Sequence, residues 1–160
     1  MSELRQELAR CEAEVSNSRG ADDVEAMLQL AVDEAASLHL PIWTCRSSGC
    51  PKDAIEALMS RWDIDAFYIG ATVSPVRRWL VGGGASDERQ SSQSGHCHRW
   101  TGMWLIGSAA NTIGRPEGRV LEAELIKFAK ERWPARCKNV AEDARGQCKG
   151  INFMYMVVHD

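Results

Sequence analysis

The run FYIGATVSPVRRWL, residues 67–80, decides the fold. Phe67, Ile69 and the β-branched Thr72 and Val73 favour an extended strand. Ser74-Pro75 then reads as an N-cap followed by proline at the first helical position, where its missing N–H costs nothing. Gly82, Gly83 and Gly84 end that helix after about two turns. The result is a strand-to-helix corner with Tyr68 and Gly70 before the turn and Arg77 and Arg78 after it. Such a corner aims a phenol and a guanidinium into one space. That pair suits chemistry on a phosphate, because arginine holds planar oxyanions in a forked geometry.

A second segment, PEGRVLEAELIKFAKERW, has an apolar arc with helical period. Leu121, Leu125 and Phe128 form one row; Ile126, Ala129 and Trp133 form the next. At roughly 100° per residue, Glu122 falls inside that arc and Glu124 falls on the wet side. A carboxylate on an inward face is costly unless it is paired or holds a metal. Glu122 is the residue that asks for an explanation.

These features together resemble the GIY-YIG nuclease family. The matching residues are Tyr68-Ile69-Gly70, Arg78 ten positions after that tyrosine, Leu121-Glu122 followed by Leu125-Ile126, and Asn139 as a downstream asparagine. His96 or His98 fits the histidine that many members carry between arginine and glutamate. The resemblance covers residues 64 to about 153. YIG alone is a weak signal, and the ordered set is a much more specific one. It implies an α/β sandwich, with a small, mainly antiparallel central sheet flanked by helices. Strands are expected near 41–46, 64–72 and 103–108. It also implies metal-dependent hydrolysis of phosphodiester bonds in DNA. Glu122 would hold one Mg²⁺ or Mn²⁺. Tyr68 would orient or deprotonate the attacking water, and Arg78 would stabilise charge on the phosphate. Asn139, with His96 or His98, would position the scissile group or protonate the leaving oxygen.

The sequence departs from the family in one place. Members carry a GIY strand about ten residues before YIG, pairing with it as a hairpin and contributing a second tyrosine. Here PKDAIEALMSRW, residues 51–62, has the apolar spacing of a helix instead. The chain has only two tyrosines, Tyr68 and Tyr155. LPIWTC, residues 40–45, is the expected stand-in for the lost strand, with Trp43 in the tyrosine's place. GINFMYMVV is expected to form a final strand near 151–158. Residues 82–99 and AANTIGRPEG are expected to be loops.

The chain has 160 residues, 44% of them apolar, which supports one globular domain. Its net charge of −3 hides an asymmetry. Residues 1–40 hold three basic and nine acidic side chains, and the rest hold 16 basic and 13 acidic. The acidic part has helical apolar spacing over SELRQELARCEAEV and ADDVEAMLQLAVDEAASLHL, so residues 1–39 read as a helical extension to a domain at 40–160. Such an extension either packs with solvated acidic faces or serves as a protein-binding or autoinhibitory hairpin that mimics DNA's charge. No apolar run approaches the roughly 18 residues of a membrane span, and the start is not signal-like, so an intracellular setting, cytoplasmic or nuclear, is expected.

Three functional classes follow from these residues. The first is an endonuclease acting on DNA. The second is a catalytically degenerate descendant of the same fold that binds nucleic acid or scaffolds proteins. The third is a zinc-stabilised module built from Cys45, Cys50, Cys97, His96 and His98. Scattered cysteines without a CxxC pair favour reduced, buried thiols over zinc.

Overall fold

The computed structural model describes residues 24–45, 50–82, 100–139 and 149–159. Four helices cover the two faces of a five-stranded sheet. In chain order they are α1 (24–37), β1 (Ile42–Thr44), α2 (Pro51–Arg61), β2 (Ala66–Thr72), α3 (Pro75–Gly82), β3 (Gly102–Thr112), β4 (Arg115–Pro116), α4 (Glu117–Arg132) and β5 (Gly150–His159). The architecture is therefore mixed α/β with a mostly antiparallel sheet flanked by helices.

The strands lie in the order β1-β3-β5-β2, with β4 pairing β3. Only the β1–β3 pair is parallel; β2–β5, β3–β5 and β3–β4 are antiparallel. The middle of the sheet is thus filled by the strand that comes last. NFMYMVV suits that place: Phe153 to Val158 are all buried, as expected of a strand covered on both faces.

Alternation along the strands divides the core into two layers. Phe67, Ile69, Ile106, Met154, Met156 and Val158 face α2 and α4, which contribute Ile55, Leu58, Leu125, Ile126 and Ala129. Ala66, Met103, Leu105, Phe153, Tyr155 and Val157 face Ala35 of α1 and Val76 and Trp79 of α3, with Tyr68 and Leu28 packed alongside. Pro51 starts α2 and sits on Gly107, where a side chain would collide with its ring. Within residues 24–37, Ala35 is completely buried in the second layer. The first acidic segment lies outside the described residues.

The stand-in for the missing strand is corrected here. LPIWTC does form a strand, but it pairs parallel to β3, with Trp43 opposite Trp104, and never meets β2. Ile42 points into the α1/α3 layer, so Trp43 points to the opposite face. There it contacts Trp104 at 5.1 Å between ring centroids, at the far edge of the sheet from Tyr68. The AANTIGRPEG loop is also corrected. β3 continues through Thr112 and turns at Ile113-Gly114 into β4, which runs straight into α4.

α1 ends in a Schellman arrangement. The N–H of Leu40 reaches the Ala35 carbonyl at 2.8 Å and that of His39 the Ala36 carbonyl at 3.1 Å. The residue at the left-handed position is His39, with φ 55°, where glycine is the unstrained choice. His39 is exposed. His39→Gly should raise the unfolding free energy by up to about 1 kcal/mol, read as a later urea midpoint at unchanged slope.

Candidate active site

Tyr68 stands on β2, the outermost strand, with its ring against the α1/α3 layer. Directly across the ladder from Gly70 lies Tyr155 of β5. Its ring leans over the glycine: a β-carbon on Gly70 would fall inside contact distance of the Tyr155 Cζ and hydroxyl oxygen and 3.0 Å from Cε1. The glycine of YIG is therefore required by what occupies its face. Arg78, one turn into α3, donates from Nε to the Tyr155 hydroxyl oxygen at 3.0 Å. The Ser74 carbonyl accepts the Arg78 N–H at 3.0 Å, so the corner opens as Ser74-Pro75 implies. Arg77, beside it on the helix, is exposed.

Glu122 comes from the other layer. It precedes the Leu125, Ile126 and Ala129 row of α4, which packs on the Phe67/Ile69 face rather than beside Tyr68. Glu122 is buried, at 7% exposure, and its charge still bears on Tyr68, Arg78 and Tyr155 together. Glu122 therefore acts on these groups through its charge, from the opposite face of the sheet. The cluster thus draws Tyr68 and Tyr155 from the sheet, Arg78 from one layer and Glu122 from the other.

Burial is the leading influence on the tyrosines. It pushes Tyr155 up to about 12, against the lowering effect of Arg78, with Tyr68 and Glu122 raising it further. Burial also raises Tyr68 above the ordinary 10.0, again opposed by Arg78 and reinforced by Glu122 and Cys137. For Arg78, burial disfavours the charge, but Tyr155, Tyr68 and Glu122 together outweigh it and raise its pKa. Both tyrosines are neutral phenols at neutral pH. They can donate and accept hydrogen bonds, but neither is a ready base.

Asn139 is brought to the same strand for a different job. Its Oδ1 accepts the Ile69 N–H at 2.9 Å, and its Nδ2 donates to the Ile69 carbonyl at 2.7 Å. The Cys137 thiol donates to the same Oδ1 at 3.4 Å. Before it, the Phe67 N–H reaches the Arg136 carbonyl and the Lys138 N–H the Phe67 carbonyl. Residues 136–139 thereby act as a short strand along the outer side of β2, and the amide completes the ladder that a backbone would have made. Asn139 is buried, and both ends of its amide are taken by Ile69. In this position its amide holds the YIG strand.

His96 and His98 lie outside the described residues, as does Cys97. Among the described residues, no three of His, Cys, Asp and Glu gather as they would around a zinc ion. Cys45, Cys50 and Cys137 are unlinked thiols, and only Cys137 is fully buried. A single carboxylate suits a divalent ion of the magnesium type, which keeps several waters and leans on one or two carboxylates plus substrate phosphate. Glu122 fits that mode. No described helix is long and apolar enough to cross a membrane.

Sequence reasoning missed Tyr155. The signal was present: a glycine inside a strand marks a close approach, and a chain with two tyrosines offers few candidates for what approaches. Set against models of known families, curated proteins and solved structures, the chain matches none.

Two predictions follow from this packing. Gly70→Ala should cost about 1–3 kcal/mol by overpacking, because the fully buried Tyr155 cannot swing away. Thermal denaturation checks the loss, and a changed near-ultraviolet circular dichroism spectrum checks that the tyrosine has moved. The second concerns alkali. A phenol whose folded value lies above its unfolded 10.0 stabilises the fold fully below pH 10, and that contribution drains away as pH rises through about 12. Tyrosinate absorbance near 295 nm should therefore stay flat in the native protein up to pH 10. The Tyr155 step should come last, accompanied by loss of structure.

Proposed function

We propose that this chain is a divalent-metal-dependent endonuclease of the GIY-YIG type, acting on DNA, in which Tyr155 takes the place of the family's second tyrosine. One observation carries the reading. Tyr68, Arg78 and Tyr155 meet at the edge of one sheet, and the charge of Glu122 acts on all three. In the family the second tyrosine stands on a strand paired with YIG as a hairpin. Here β5 runs antiparallel to β2 and sets Tyr155 opposite Gly70. The strand pair is the same in kind, with its first member moved to the far end of the chain order.

The residues divide the work by their chemistry. Arg78 is tied through Nε to Tyr155, which fixes the plane of its guanidinium for a phosphate oxygen. Tyr155 is fully buried and neutral, so it serves as the support for Arg78 and as a phenol whose proton stays on oxygen. Tyr68 is half-buried, and its phenol is the group that would orient an attacking water. Its raised pKa keeps the phenol protonated, so Tyr68 orients that water and does not start as its base. When bound, a divalent ion at Glu122 would supply Lewis acidity to the phosphate and lower the pKa of nearby water.

The same raised values favour a second reading, in which the fold binds nucleic acid without cutting it. A plasmid-nicking assay separates the two. Wild type should nick with Mg²⁺ or Mn²⁺, and Glu122→Gln should not. Arg78→Ala should lose about a hundredfold or more in rate, as removal of a transition-state charge contact does. It should also lose about 1–3 kcal/mol in stability, since the Tyr155 oxygen is left buried without its donor. Arg77→Ala should keep nearly full cleavage. No nicking with either metal, beside salt-sensitive DNA binding, would hand the conclusion to the second reading. No binding at all would sink both.

A further inference from the structure

The β3–β4 hairpin ends in a side chain that the fold does not use. Ile113 is 91% exposed, more than any other large apolar residue described. Tight turns are ordinarily built from Gly, Asn, Asp, Pro or Ser, each for a reason in the local backbone. Gly114, with φ 73°, already supplies the unusual backbone conformation in this turn. A β-branched isoleucine beside it gains nothing from packing.

The tip is tied to the helix that carries Glu122. β4 passes directly into α4, the helix that carries Glu122. Asn111, buried on β3, accepts the Arg119 N–H on its Oδ1 at 3.1 Å, so the hairpin caps the first turn of that helix. Hairpin and helix are joined both by the chain and by this hydrogen bond. Exposed Arg115 and Arg119 flank the tip, and Glu117 is the single acid between Ile113 and Glu122. At 1.5 Å per residue, Glu122 sits about 8 Å along the helix from its start.

We propose that Ile113 is a wedge that opens a base step of DNA held over the Tyr68–Arg78–Glu122 cluster; the proposal rests on the endonuclease reading. An apolar side chain inserted between base pairs unstacks and kinks the duplex while neighbouring cations grip the phosphates. Arg115 and Arg119 supply that grip. Opening is cheapest where stacking is already interrupted, at nicks, junctions and flexible pyrimidine–purine steps. The substrate class is accordingly duplex DNA with such a weak step, cut within a few base pairs of it.

Full-length protein carrying Glu122→Gln is the reagent, mixed with a nicked duplex bearing 2-aminopurine beside the nick and with the same duplex unbroken. Binding should raise 2-aminopurine fluorescence several-fold on the nicked duplex and little on the unbroken one. Adding Ile113→Asp should abolish the rise, and Ile113→Met should keep it. Both leave the melting temperature unchanged, because an exposed side chain leaves no cavity. Affinity by fluorescence anisotropy should move far less, being carried by phosphate contacts. A rise that survives Ile113→Asp, or no rise in protein that binds the nicked duplex, overturns the wedge and leaves the endonuclease reading standing. Protein that binds neither duplex overturns both.

Discussion

Tyr155 rests its ring on the bare backbone of Gly70 and gives its hydroxyl oxygen to Arg78 at 3.0 Å. That contact joins the central strand to the edge strand and α3, both distant from it in sequence. It also accounts for the glycine of YIG without reference to any loop or turn. Remove the ring and α3 loses the partner that sets its arginine; add a methyl at Gly70 and the ring has nowhere to stand. The orientation of the guanidinium is thus a property of the sheet's packing and not of the helix alone.

Holding the edge strand in place falls to an unusual pair of elements. β5 covers one side of β2 through a full ladder. On the other side, residues 136–139 supply two backbone hydrogen bonds and an amide side chain in place of a third residue's backbone. A carboxamide presents a donor and an acceptor in one plane, as a peptide does, so it can end a ladder that the chain itself abandons. Tyr68 and Gly70 flank the clamped Ile69. Their positions are set from both sides, although β2 is nominally the rim.

The sequence was readable where local chemistry decides the outcome. Ser74-Pro75 announced the start of α3, Pro51 that of α2, and the inward slot of Glu122 its burial. It was opaque where partners come from far along the chain. The apolar run around Trp43 and the alternating run around Tyr155 are both good strands by composition. Which of them lies beside β2 depends on a pairing across about 85 residues that no local pattern encodes. The continuous apolar stretch Phe153–Val158 was the available hint, since a strand buried on both faces belongs in the middle of a sheet. The hold of Asn139 on β2 was opaque for a related reason: whether a polar side chain substitutes for backbone is decided by its neighbours.

The strand at the centre of this sheet is also the last of the described strands in chain order. Until it arrives, β3 and β2 have no ladder between them, and each presents an unsatisfied row of amides toward the space it will fill. A ribosome would therefore release the corner, the helices and two open strand edges before anything could join them. Loop closure over long separations is slow to nucleate, so the nascent chain passes through a stage in which its stickiest edges are exposed. A second copy's β5 could complete that gap as well as the chain's own. The architecture thereby trades sequential folding for a sheet that closes in one concerted, final step.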